Sequence, residues 1–145
     1  MTLKFLAASL LASFGLAATL SPAIAGEKAG TAAAYVGRVD PSAFHRTPLE
    51  EKKLGTVVDP AAVRMITPGV DKFTIYRLIG TPHFGEGITR RWNYVLFFPT
   101  TFGSTELMRC RMEIRFTRQR GLYNVSVSEV IWQDQACADR VAAAS

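Results

Sequence analysis

The nine residues from Arg109 to Thr117 constrain the fold more than any other part of the chain. Cys110, Met112, Ile114 and Phe116 point one way; Arg109, Arg111, Glu113, Arg115 and Thr117 point the other. A repeat of two is the repeat of an extended strand, so this segment belongs in a sheet with one apolar face and one polar face. Its neighbours carry the same signal. Arg91 to Phe98 places Trp92, Tyr94, Leu96 and Phe98 on one face. A loop follows from Pro99 to Thr105. After the turn Arg118-Gln119-Arg120-Gly121, a third strand runs from about Leu122 to Trp132. Its register is less clear around Ser126 to Glu129, where a bulge would fit. Short connections make the three strands an antiparallel meander.

A three-stranded sheet is marginal unless something covers its apolar face. Two helices precede it. Asp59 and Pro60 suit the N-cap and first helical position of a short helix over Ala61 to Ile66, with Val63 and Ile66 on one side. Asp71 caps a second helix over Lys72 to Ile79, whose Ile75, Leu78 and Ile79 share a face; Gly80 and Pro82 end it. The expected domain is two-layered α+β, two short helices on a three-stranded antiparallel meander, over residues 57–140.

The N-terminal part reads differently. Lys4, the apolar stretch Phe5 to Leu20, the helix-breaking Ser21-Pro22 and the small-x-small run Ala23-Ile24-Ala25 describe a signal peptide over residues 1–25, cut before Gly26. The apolar stretch falls short of the ~20 residues that a membrane-spanning helix needs. No cysteine stands near the cut, so lipidation is not expected. Residues 26–56 contain scattered glycine, alanine, proline and the patch Glu50-Glu51-Lys52-Lys53, without lasting periodicity; they read as a flexible leader. Export places the chain outside the cytoplasm, in the periplasm or against the outer membrane, and away from nucleic acid. Cys110 and Cys137 both fall in the exported part, where an even count favours a disulfide; two free buried thiols are the alternative. Neither the cysteine spacing nor His45 and His83 match a zinc site.

Charge is concentrated. Without Lys4 the chain has 16 basic and 12 acidic residues. Arg90, Arg91, Arg109, Arg111, Arg115, Arg118 and Arg120 fall in one window that contains only two acids, Glu106 and Glu113. Arg109, Arg111 and Arg115 share the polar face of the middle strand, and Arg118 and Arg120 extend the charge into the turn. A guanidinium binds phosphate or carboxylate through a planar fork. The candidate binding residues are therefore Arg91, Arg109, Arg111, Arg115, Arg118 and Arg120. Their partner would be anionic phospholipid, lipopolysaccharide phosphate or an acidic protein surface; a solvated face that resists edge pairing is the plainer reading. His83 and Glu86 share a glycine-bearing loop, but no nucleophile or metal constellation accompanies them, so neither an enzyme nor a cofactor is expected.

The runs Ile66-Thr67-Pro68-Gly69-Val70-Asp71-Lys72, Leu78-Ile79-Gly80-Thr81-Pro82 and Arg91-Trp92-Asn93-Tyr94, with Trp132 closing the last strand, resemble the SmpA/OmlA (BamE-like) family over about residues 55–133. Members are accessory proteins of the outer-membrane β-barrel assembly machinery. The resemblance implies the same α+β order and a non-catalytic adaptor that supports outer-membrane protein assembly or envelope integrity, with that machinery or other envelope proteins as partners. Pro82-His83-Phe84-x-Glu86-Gly87 and the two cysteines look closer to a branch fused to a peptidoglycan-binding domain. Domains of this build also serve as inhibitors, so a protein that blocks a periplasmic or secreted hydrolase is the alternative.

Overall fold

A computed structural model describes residues 34–45, 53–87, 89–118 and 125–145. The expected signal peptide over 1–25 lies outside these residues, as do Arg120 and most of the turn around it.

The meander forms as its alternation requires. β3 (Arg91–Pro99), β4 (Leu107–Arg118) and β5 (Val125–Trp132) pair antiparallel. Trp92 stands opposite Ile114, Tyr94 opposite Met112 and Leu96 opposite Cys110, which joins the apolar faces into one surface. Opposite β5 the register shifts between Arg115 and Phe116: Arg115 pairs with Glu129, and Phe116 with Val127. Ser128 is the extra residue, and its hydroxyl donates to the Arg115 carbonyl at 3.0 Å. The bulge thus falls within the irregular stretch and keeps Val127 and Val130 on the core side.

The helices also begin where their caps indicate. α1 (Pro60–Arg64) starts after Asp59, whose carboxylate accepts from the Ala61 N–H at 2.9 Å. α2 (Lys72–Ile79) starts after Asp71, which accepts from the N–H groups of Phe73 and Thr74 and from the Thr74 hydroxyl. Gly80 ends α2 with φ 81°, a conformation that a side chain would strain, and its carbonyl accepts from the Tyr94 hydroxyl at 3.1 Å. Val63, Ile66, Ile75 and Ile79 from the helical pair are buried in one cluster with Met112, Ile114 and Phe116.

The Asp71 cap gives a direct prediction. The hydrogen bond from the Thr74 hydroxyl, then that from its N–H, hold the carboxyl below the usual carboxylate range. The unfolded chain binds that proton more tightly. The stabilisation is therefore complete above the ordinary carboxyl pKa and is lost as pH falls through the folded value. Asp71→Ala is expected to cost about 1 kcal/mol in urea unfolding at neutral pH. The gap between variant and wild type narrows below about pH 4; a gap independent of pH would exclude the charged cap.

Three expectations need correction. The sheet has five strands, not three, in the order β1 (Gly37–Val39), β5, β4, β3, β2 (Thr56–Val57). β1 pairs parallel with β5, and β2 pairs parallel with β3, so the sheet is mixed. The flexible leader expected over 26–56 does not hold for residues 34–45: these supply β1, a 3-10 turn (Pro41–Ala43) and the buried Phe44. The Trp132 indole donates to the Tyr35 hydroxyl, which fastens this stretch to the end of β5; burial pushes the Tyr35 pKa up to about 12. Gly37 permits the approach, since a Cβ there would lie 2.8 Å from both Trp132 Nε1 and the Tyr35 hydroxyl. The third correction is an additional helix, α3 (Gln135–Ala142), which runs past the expected domain end at 140. It turns Cys137, Ala138 and Val141 inward beside the sheet. Cys137 is bonded to Cys110 of β4, with Cα atoms 5.8 Å apart. The disulfide thus joins the middle strand to a helix.

Candidate interaction face

Strand register sorts the arginines. Arg91 on β3, Arg109, Arg111 and Arg115 on β4 and Arg38 on β1 point away from the helices, along with Asn93, Val95, Phe97, Glu113, Glu129 and Ile131. Arg118 does not join them. It lies two residues after Phe116, and so on the helix side, where it lines a separate cleft with Trp92 and Phe116.

This outer face is not the simple wet surface that alternation suggests. Val95 is 1% exposed, Glu113 4% and Ile131 0%. The reason is that β3 and β5 carry apolar residues on both sides, so the outer face needs a cover of its own. Residues after β1 provide part of it. The Phe44 ring lies under the Arg111 guanidinium, 5.3 Å from its centroid, and Arg111 Nη1 donates to the His45 carbonyl at 2.9 Å. Along the part of the β3 edge that β2 does not cover, Phe84 exchanges backbone hydrogen bonds with Asn93, and His83 Nδ1 accepts from the Val95 N–H at 3.2 Å. A ring that accepts at Nδ1 is neutral there. Burial, and then the charge of Arg109, lower the His83 pKa from its ordinary value.

Acids temper the charge. Arg115 Nε donates to Glu113 at 2.7 Å, and its Nη1 to Glu129 at 2.9 Å. Arg38 meets both Glu129 and Asp40. Asn93 Nδ2 donates to Glu113 at 3.4 Å. Glu129 falls outside the arginine window, so the one-dimensional charge count overstates the field; sheet pairing brings Glu129 back to Arg115. The face thus carries five arginines and two strand-borne acids, with Arg38 and Arg115 bonded to acids. Between its two aromatic covers is a cleft of about 310 Å³, lined by Phe44, His45, Phe84, Arg91, Arg111 and Glu113 together with Ala43 and Asn93. Arg91 is exposed at its edge. Such a cleft can take an acidic group through guanidinium forks while an apolar neighbour rests on Phe44 or Phe84.

Of the arginines that sequence reasoning singled out, Arg91, Arg109, Arg111 and Arg115 share this face; Phe44, Phe84 and Glu129, which adjoin them, were not singled out. Phe44 had a local signal: a lone large apolar residue after Asp40-Pro41, in a stretch otherwise poor in them. His83 and Glu86 are not assembled as an acid–base pair, since Glu86 instead accepts from the Tyr76 hydroxyl at 2.8 Å. Among the described residues no three His, Cys, Asp or Glu side chains are grouped to hold a metal ion, and no helix is long and apolar enough to cross a membrane.

Residues 55–125 match the family model described as the outer membrane protein assembly factor BamE domain. The chain carries a BamE domain. No curated protein sequence matches the chain. The matched stretch begins just before β2 and ends at the first residue of β5. The BamE domain therefore supplies both helices of the hairpin, Arg91, Arg109, Arg111 and Glu113. Arg38, Phe44 and Glu129, which cover or neutralise the same face, lie outside the match, as does Cys137.

Proposed function

We propose that the chain is a non-catalytic adaptor of the bacterial envelope, acting in the periplasm in outer-membrane protein assembly and docking through the outer face of its sheet. The observation that carries this reading is the BamE match over the strands that bear the Arg91–Arg111 cleft. The partner surface is acidic and has apolar neighbours, to suit guanidinium groups framed by Phe44 and Phe84. Steering by such a face is weakened by salt.

The test is affinity capture from an envelope extract with wild type and an Arg91→Glu/Arg111→Glu variant, each checked by circular dichroism. Wild type should recover subunits of the β-barrel assembly machinery. The variant should recover about tenfold less, because charge reversal places like charges against an acidic partner. Equal recovery would overturn docking through this face, and recovery of a soluble hydrolase instead would favour an inhibitor. Vesicles of anionic phospholipid provide a parallel arm. If Arg109/Arg111/Arg115→Ala loses salt-sensitive vesicle binding but keeps its protein partners, the acidic surface met by these arginines is lipid.

A further inference from the structure

The geometry points to a second anion site, on the helix side of the sheet, where Lys72, Arg90 and Arg118 surround a platform of Tyr76, Trp92 and Phe116 and would take a small ring-bearing phosphate or carboxylate. The site is independent of the outer-face cleft and uses none of its residues.

Three observations converge here. First, the cleft has a volume of about 540 Å³, within the range of small-molecule sites. It lies where α2, Glu86, Gly87, Thr89 and Arg90 meet the start of β3 and the end of β4. Second, none of its three cations is in an ion pair among the described residues. Arg90 and Arg118 are exposed, and the Lys72 ammonium lies 5.1 Å from the centre of the Phe73 ring. On the outer face, by contrast, Arg38 and Arg115 are bound to acids. The acid that lines the cleft, Glu86, is held by the Tyr76 hydroxyl, so three positive charges meet one negative charge.

Third, the floor is aromatic. Trp92 lies between Tyr76 and Phe116, with ring centres at 5.0 and 4.7 Å and tilted or edge-on planes. Trp92 and Phe116 are nearly covered, while Tyr76 is half-buried and offers its ring to the cleft. Guanidinium groups supply forked donors to a phosphate or carboxylate, and the ring platform favours an apolar or aromatic body over a bare ion. The same alternation that isolates Arg118 from the other β4 arginines brings it beside Arg90, which sits one residue before the outward-facing Arg91.

Trp92 and Trp132 are the chain's two tryptophans, so their indole N–H resonances provide a reporter and a control. The experiment titrates isotope-labelled protein with phenyl phosphate and, separately, with inorganic phosphate. The expected result is saturable movement of the Trp92 indole at millimolar phenyl phosphate, with Trp132 unmoved. Inorganic phosphate should bind more weakly, and added sodium chloride should weaken both. Arg90→Ala/Arg118→Ala should lower the phenyl phosphate affinity about tenfold or more, because both charge-assisted contacts are lost. Three results would each overturn the assignment: no movement at Trp92, equal affinity for the two anions, or unchanged affinity in the double variant. The salt series on wild type retains a test should the variant fail to fold.

Discussion

Trp132→Ala is expected to lower the unfolding free energy by about 3–5 kcal/mol, the range for deleting a large buried aromatic side chain. The ring is fully buried, faces Phe98 at 6.0 Å and stands opposite Met112 in the sheet. It also secures an element whose own stability is small. β1 has three residues, pairs with β5 at Trp132, and is held further by the bond from the Asp40 N–H to the Trp132 carbonyl. Loss of the indole leaves the Tyr35 hydroxyl without its donor and opens space beneath Gly37. Residues 34–45 should therefore gain hydrogen-exchange rate beyond what the global loss accounts for. Urea unfolding with amide exchange would measure both. A cost below about 1 kcal/mol would mean that this ring does not connect the N-terminal stretch to the core.

Loss of the disulfide should have a comparable effect for a different reason. Cys110 and Cys137 are 27 residues apart, and closing a loop of that length restricts the unfolded chain by about 3–4 kcal/mol in the chain-entropy model. The bridge joins buried positions on β4 and α3, so Cys110→Ala/Cys137→Ala removes the covalent link between the middle strand and a helix whose other buried residues are Ala138 and Val141. Beyond the disulfide, α3 is tied to β3 by the bond from Arg140 Nε to the Pro99 carbonyl at 3.2 Å, and the residues after it are tied to α1 by the bond from Arg64 to the Ala144 carbonyl. The expected fall in melting temperature is about 15 °C. α3 should lose amide protection before the meander does. A double variant that melts within a few degrees of wild type would mean that α3 is held by its apolar face alone.

Much of the architecture was legible because several local signals agreed. Asp59-Pro60 and Asp71 marked helix starts, Gly80 marked a stop, and the unbroken alternation of Arg109 to Thr117 fixed which face of β4 meets the helices. The elements that escaped were too short to show a period. β1 and β2 span three and two residues, and both pair parallel with strands distant in sequence, which no local pattern announces. α3 contains Cys137, Ala138 and Val141 as its inward residues, two of them small, so its apolar stripe is weak.

The site was legible to a similar depth. Periodicity correctly placed Arg109, Arg111 and Arg115 together, and the same rule separates Arg118 once the strand is known to extend that far. Their neutralisation was not legible, because Glu129 reaches Arg115 through antiparallel pairing across a turn and Arg38 reaches Glu129 through a parallel edge strand. Nor could Val95 and Ile131, outward-facing yet buried, be recognised as needing the cover that Phe44 begins to provide.

Whether the outer face is the contact surface can be read most directly by site-specific photo-cross-linking in cells. A photoreactive residue at Asn93, in the Arg91–Arg111 cleft, is compared with one at the exposed Phe73 on α2. Docking through the sheet predicts cross-links to a subunit of the barrel assembly machinery from position 93 and none from position 73. Cross-links to that subunit from Phe73 alone would contradict it.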